Sequence, residues 1–279
     1  MSFLRKSFWD STFPVLRLKG KGARAFLHGQ LTAEIINANT NTFIYGCWLS
    51  TKGCVKAVVE ILLTDEGADL IVIGGHFKEI YEGFNQVIFP VDQVFIESNL
   101  NLRRLQVLSL REPWHKNEVF WLSEKQSIPD SLDSHSRATN EEVEIWRLHQ
   151  GLPLTDAELN GETNPFELGL GDFVSLEKGC YLGQETIARV LRQTSLKRKL
   201  MFWESENKVL GGQKIIKRSL EETKEGNQKI AGVITSSSLS KSSGSFGLAL
   251  IRSNYFEEDN LSLLNSQGQI YLKLPIGFQ

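Results

Sequence analysis

Lys178-Gly179-Cys180-Tyr181-Leu182-Gly183-Gln184-Glu185 is the stretch on which the reading of this chain turns. Its cysteine stands between two glycines, with a lysine two residues before it, and residues 184–189 look helical. A nearby cation and a helix N-terminus both favour the thiolate of a cysteine. Cys180 is therefore expected to be an acidic, functional thiol. The glycines permit positive φ and close approach of backbone to a ligand. A tight turn with Cys180 as a small buried filler is the competing reading, and the residues alone leave both open.

Before this stretch, Thr139 and Glu142 make a capping box for a helix carrying Val143, Trp146 and His149, closed by Gly151 and Pro153. After it the pattern turns to short strands at residues 200–203, 214–216, 229–235, 247–252 and 269–274. Charged or serine-rich turns separate them, residues 235–245 among them, which predicts a compact β-barrel. The serine run reads as a solvated hairpin loop.

Toward the N-terminus, residues 13–18 predict a strand, Gly20-Lys21-Gly22 a break, and Ala23, Phe26, Leu27 and Leu31 a helix. The glycines lack the G-x-x-x-x-G-K-[ST] frame of a phosphate loop and read as a plain turn. Residues 55–63 and 70–73 flank the turn Asp65-Glu66-Gly67, a hairpin signal. Phe77, Ile80, Tyr81, Phe84 and Ile88 mark one helix face, Pro90 ends it, and strands follow at 94–96 and 105–108. Strand, strand, helix, strand is half of a ferredoxin-like arrangement.

The 279 residues allow two or three domains. With 31 basic against 33 acidic residues the chain lacks the net positive charge of a nucleic-acid-coating protein. No apolar run reaches the ~20 residues of a membrane span, and Asp10 comes too early for a signal peptide, so a cytoplasmic protein without membrane contact is expected. The three cysteines are too few and too odd for a disulfide framework. Cys47 and Cys54, with six residues between them, fit no common metal spacing; no metal site is expected.

The octapeptide resembles the K-G-C-[FY]-x-G-Q-E signature of the YgfZ family. Further segments are similar in the family's order: residues 18–35, with His28-Gly29-Gln30-Leu31-Thr32; Leu49-Ser50-Thr51-Lys52-Gly53; residues 146–153, an R-x-x-x-G-x-P helix end; and Ala231-Gly232-Val233-Ile234-Thr235-Ser236. The resemblance implies an α+β, three-domain ring shared with the aminomethyltransferase of glycine cleavage. It would comprise a first domain of residues 1–48 and 115–196, a ferredoxin-like middle domain of 49–114, and a C-terminal β-barrel of 197–279.

It also implies a tetrahydrofolate site near the centre and a role in assembly or repair of iron–sulfur clusters, with iron–sulfur proteins or assembly factors as transient partners. Asn164-Pro165-Phe166-Glu167-Leu168-Gly169-Leu170 is similar to the transferase segment whose glutamate holds the pterin. A carboxylate there accepts the pterin's adjacent N–H and NH₂ together. Glu167, Lys178, Tyr181, Gln184 and Arg189 are the expected folate-binding positions. Lys178, Arg189 and Arg192 would neutralise the folate's glutamate tail. If Lys52-Gly53-Cys54-Val55 aligns with the transferases' Gly-Gly turn, Lys56 and Ala57 replace an acid pair those enzymes need. A one-carbon transferase or demethylase and a non-catalytic folate-sensing scaffold are the alternative functions.

Overall fold

The computed structural model describes residues 6–123, 125–192, 196–218, 229–240, 244–264 and 268–278. Residues 1–5 of the start read for a leader, and 241–243 of the serine run, lie outside them.

One sheet dominates the N-terminal two-thirds. Its order is β2 (Phe43–Leu49), β3 (Val55–Thr64), β4 (Gly67–Gly74), β1 (Ser7–Lys19), β5 (Phe95–Leu108), β6 (Val119–Leu122), with β7 (Ser136–Arg137) alongside β1. The expected hairpin is β3–β4. The expected strands at 94–96 and 105–108 fall on the two ends of β5, which runs unbroken through the largely polar residues 97–104 because it pairs with β1 along nearly its whole length. Strands from both sides of residues 48/49 and 114/115 are hydrogen-bonded neighbours in this sheet, so the sheet crosses both expected domain boundaries.

The sheet curls until its end strands meet. Phe43 of β2 packs edge-on against Trp121 of β6 at 5.3 Å, and the buried Arg104 of β5 reaches Glu60 of β3. On the other face lie α1 (Ala23–Gln30) and α2 (Phe77–Val87), which bury Leu27, Ile80 and Phe84 against Leu16, Leu18, Val59 and Ile61. Each such side chain contributes about 1.5–3 kcal/mol by leaving water.

The helix α3 (Asn140–Gln150) starts where the capping box places it: Thr139 Oγ1 accepts from the Glu142 amide, and Glu142 accepts from the Thr139 amide. Beyond α4 (Gln184–Leu191) the chain closes a six-stranded barrel in the order β10-β11-β8-β13-β12-β9. These strands are β8 (Arg198–Ser205), β9 (Lys214–Lys217), β10 (Ile230–Leu239), β11 (Ser245–Arg252), β12 (Leu261–Leu263) and β13 (Gln269–Lys273). The continuous apolar run Leu200-Met201-Phe202-Trp203 is explained by alternation. Met201 and Trp203 fill the barrel, while Leu200 and Phe202 face the sheet-side core.

The serine run is not chiefly a loop. Ser236, Ser237 and Ser238 belong to β10. The buried Ser236 hydroxyl donates to Glu158 and accepts from Arg147, a polar contact that joins the barrel to α3. Sequence polarity suggested solvent because the acceptor and donor lie 78 and 89 residues away. Among the described residues no helix is long and apolar enough to cross a membrane.

Candidate functional site

A cleft of about 790 Å³ opens between the sheet and the barrel. From the sheet side come Lys52 and Cys54 of the β2–β3 turn, and Glu162, Asn164 and Glu167 of the loop after α3. Thr186, Arg189 and Val190 line it from α4; Leu196, Lys197, Arg198 and Arg252 line it from the barrel side. Positions 186, 189 and 190 share one helix face by the i, i+3, i+4 rule.

Glu167 is only 5% exposed. Its loop is locally self-fastened: the Glu167 amide donates to Asn164 Oδ1 at 3.1 Å, and the Asn164 amide donates to Glu167 Oε2 at 3.2 Å. Arg198 Nε donates to the same oxygen at 3.4 Å, while its Nη2 binds the Glu162 carbonyl. The Leu200 amide of β8 donates to the Glu167 carbonyl at 2.7 Å, tying the loop to the barrel. No hydrogen bond among the described residues engages Glu167 Oε1. Five cations, Lys52, Arg189, Lys197, Arg198 and Arg252, face two carboxylates, Glu162 and Glu167, around the cleft. Such a lining has the charge and acceptors that suit an anionic ligand with hydrogen-bond donors.

The octapeptide is arranged differently. Lys178 is buried, and its ammonium donates to the carbonyls of His28, Leu31 and Ala33 at the end of α1. All three N–H groups are thereby engaged, and the ammonium also lies 5.0 Å from the Tyr181 ring. Burial pushes its pKa down to about 8. The cation expected to acidify Cys180 and neutralise a ligand thus points inward, as a clamp on α1. Tyr181 is a core residue, its hydroxyl pushed up to about 12 by burial. Gln184 is half-buried at the start of α4, on the helix side of buried Ile187 rather than that of Arg189. Cys180 is exposed. None of these four is among the residues lining the cleft; Glu167 and Arg189 are.

Gly183 explains why the motif sits where it does. It caps α4 with φ +83°, and a Cβ on it would stand 2.8 Å from the Ser50 carbonyl and 3.0 Å from Gly53 Cα. A Cβ on Gly53 in turn, at φ +71°, would stand 2.9 Å from the Thr186 Cβ. The octapeptide and the β2–β3 turn, two segments far apart in sequence, interlock backbone to backbone through these glycines. That contact sets the cleft wall, because Lys52, Cys54 and Thr186 flank it.

Lys56 pairs with Glu79 at 3.2 Å and lies over the Trp48 ring, and Ala57 is buried. Sequence reasoning missed Arg198, Arg252, Lys197 and Cys54 as cleft residues. No spacing marks them, since the barrel's closure and the hairpin's fold bring them together. Among the described residues no three His, Cys, Asp or Glu side chains gather as a metal-holding group.

No family model matches the chain. It is 37% identical over 293 aligned positions to an Aminomethyltransferase of Caldanaerobacter subterraneus subsp. tengcongensis, covering 87% of this chain and 76% of that protein. A tRNA-modifying protein YgfZ of Aliivibrio fischeri is 24% identical over 283 positions, covering 90% and 86%. The crystal structure of glycine cleavage system aminomethyltransferase T from Bartonella henselae superposes with a TM-score of 0.76 at 15% identity, over 98% of this chain and 86% of that one. That likeness establishes the fold, including the barrel beside the curled sheet. With the sequence relatives it shows that the chain belongs to the family of YgfZ and the glycine-cleavage aminomethyltransferases.

Proposed function

We propose that the protein binds a reduced folate, tetrahydrofolate or a one-carbon derivative, in the cleft between sheet and barrel. The observation that carries the reading is Glu167, a buried carboxylate on the cleft wall with one oxygen that no described residue engages. That oxygen suits the N–H and NH₂ edge of a pterin. Arg189, Arg198, Lys197, Arg252 and Lys52 suit the carboxylates of the glutamate tail. The family's aminomethyltransferase and YgfZ members support a folate ligand. Lys178, Tyr181 and Gln184 support the site from behind.

The proposal extends to an accessory role in iron–sulfur cluster assembly or repair in the cytoplasm, in which the exposed Cys180 meets a client outside the cleft. In that role Cys180→Ser folds normally but fails to restore iron–sulfur enzyme activity in a strain lacking the native gene; full rescue contradicts it. Folate binding itself is tested by calorimetry with tetrahydrofolate. Losing a charged partner of a buried hydrogen-bonded group costs about 2–5 kcal/mol, so Glu167→Ala and Glu167→Gln should bind far more weakly. Unchanged affinity in both removes the assignment.

A second reading, one-carbon transfer, is favoured by the 37% identity to an aminomethyltransferase. Against it stand Lys56, a cation held by Glu79, and the apolar Ala57, neither of which lines the cleft. Release of ammonia from an aminomethylated lipoyl carrier at ~1 per second or faster would favour the transferase.

A further inference from the structure

The cleft holds a thiol that the folate reading does not use. Cys47 is fully buried, with burial pushing its thiol up to about 12, and Cys180 lies outside the cleft. Cys54 is the half-buried cysteine on the wall, its sulfur held among the described residues by one long contact of 3.8 Å to the Lys52 carbonyl. Two independent features point to what could reach it. The five cations of the lining concentrate small anions. Glu167, more than nine-tenths buried on the same wall, offers Oε1 to an occupant's N–H groups.

We propose that Cys54 is a covalent modification site. An anionic low-molecular-weight disulfide, of which oxidised glutathione is the type, docks in the cleft and exchanges with the Cys54 thiol. The Cys54 S–H gives its proton to solvent, and its sulfur attacks one sulfur of the disulfide. The S–S bond breaks as the protein–S–S–R bond forms, and the departing thiolate takes up a proton. One thiol and one disulfide enter, and one of each leaves, so no further oxidant is needed. The glutathionyl group then occupies the cleft beside Glu167 and excludes the cleft's ligand. The proposal rests on the folate reading only for the identity of the ligand displaced. Burial, and next the Glu167 charge, hold the Cys54 thiol above the ordinary range. Exchange is therefore slow at neutral pH and quickens as pH rises past the usual thiol value. Charge recruitment, not acidity, gives the site its selectivity.

The test treats the full chain with oxidised glutathione, net negative, and with cystamine, net positive, and maps each cysteine by mass spectrometry. Cys54 should react at least about tenfold faster with the anionic reagent than with the cationic one. That ratio should collapse near 0.5 M salt, where screening is within ~4 Å, and the exposed Cys180 should lack the preference. An unmodified Cys54, or a ratio equal to that of Cys180, overturns the proposal. Tetrahydrofolate affinity should fall at least about tenfold in the glutathionylated protein and return with dithiothreitol. In Cys54→Ser the same treatment should leave affinity at that variant's own untreated value. Full binding by protein modified at Cys54 would overturn the blocking role. If the untreated protein binds no tetrahydrofolate, the folate reading fails, while the charge preference at Cys54 still decides this proposal.

Discussion

The octapeptide and the cleft wall lie on either side of one backbone contact, yet they use their chemistry in opposite ways. Around Lys178 the buried groups are fully engaged: three N–H donors meet three carbonyls, Tyr181 enters the core, and Gly183 locks against Ser50 and Gly53. Around Glu167 polar groups are left in surplus: no described residue engages one carboxylate oxygen, and five cations crowd two acids. A buried group whose bonds are complete stabilises a fold, whereas a buried group with capacity remaining recognises something else. In this chain the dense motif holds the architecture, and the proposed function assigns the binding chemistry to the inconspicuous residues across from it.

Removing the clamp should have the largest effect on the fold. Lys178→Met strands three carbonyls at the end of α1, each worth about 1–3 kcal/mol when left unpaired. A loss of about 3 kcal/mol or more is expected, read as a lower denaturation midpoint in urea. A variant as stable as the native chain would dissolve the contrast between the two regions.

Gly183→Ala should cost less, about 1–3 kcal/mol, because the methyl meets the Ser50 carbonyl at 2.8 Å and φ is +83°. The same change tests the interlock, since Gly53 and Thr186 must shift with it. Thermal unfolding measures it; a neutral substitution would mean the two backbones are not pressed together.

A smaller effect is expected at the seam where the barrel supplies one wall of the cleft. His149 of α3 stacks against Phe202 and Phe246 of the barrel, at 4.5 and 5.5 Å, in a cluster where the two phenylalanines also touch at 6.0 Å. Burial lowers its pKa to about 4. Below an unfolded value near 6.5 the unfolded chain binds a proton that the folded chain refuses. Stability from this group is therefore full above pH ~6.5 and is lost as pH falls toward 4, on the order of 1–2 kcal/mol after solvent screening. His149→Phe should flatten the stability profile in that window. An unchanged acid limb would place the responsible groups elsewhere.

Much of the scaffold was legible locally. The capping box at Thr139, the 3.6-residue stripe of α2 and the turn at Gly67 each act within a few residues, and the structure has them. What failed was what depends on partners far along the chain. Residues 97–104 are largely polar yet form part of β5 because β1 lies beside them. Ser236 is buried because Glu158 and Arg147 receive it. Strands β2, β6, β7 and β12 went unpredicted, the last three being only four, two and three residues long. Of the expected folate-binding positions Glu167 and Arg189 line the cleft, whereas Lys178 turns inward, because a sequence does not reveal which way a charge points. Arg198 and Cys54 carried no signal until the chain folded.

The most direct test of the division between clamp and cleft is thermal unfolding of Lys178→Met and Glu167→Gln side by side, with and without tetrahydrofolate. A ligand at 100 times its Kd stabilises the state it binds by about 2.7 kcal/mol, which shows as a clear rise in Tm. Glu167→Gln keeps an acceptor for the Asn164 amide, so it should unfold within a few degrees of the native chain and lose the ligand-induced rise. Lys178→Met should unfold at least several degrees lower and keep the rise. The reverse pattern, with Lys178→Met stable but blind to folate and Glu167→Gln unstable but responsive, would contradict the account.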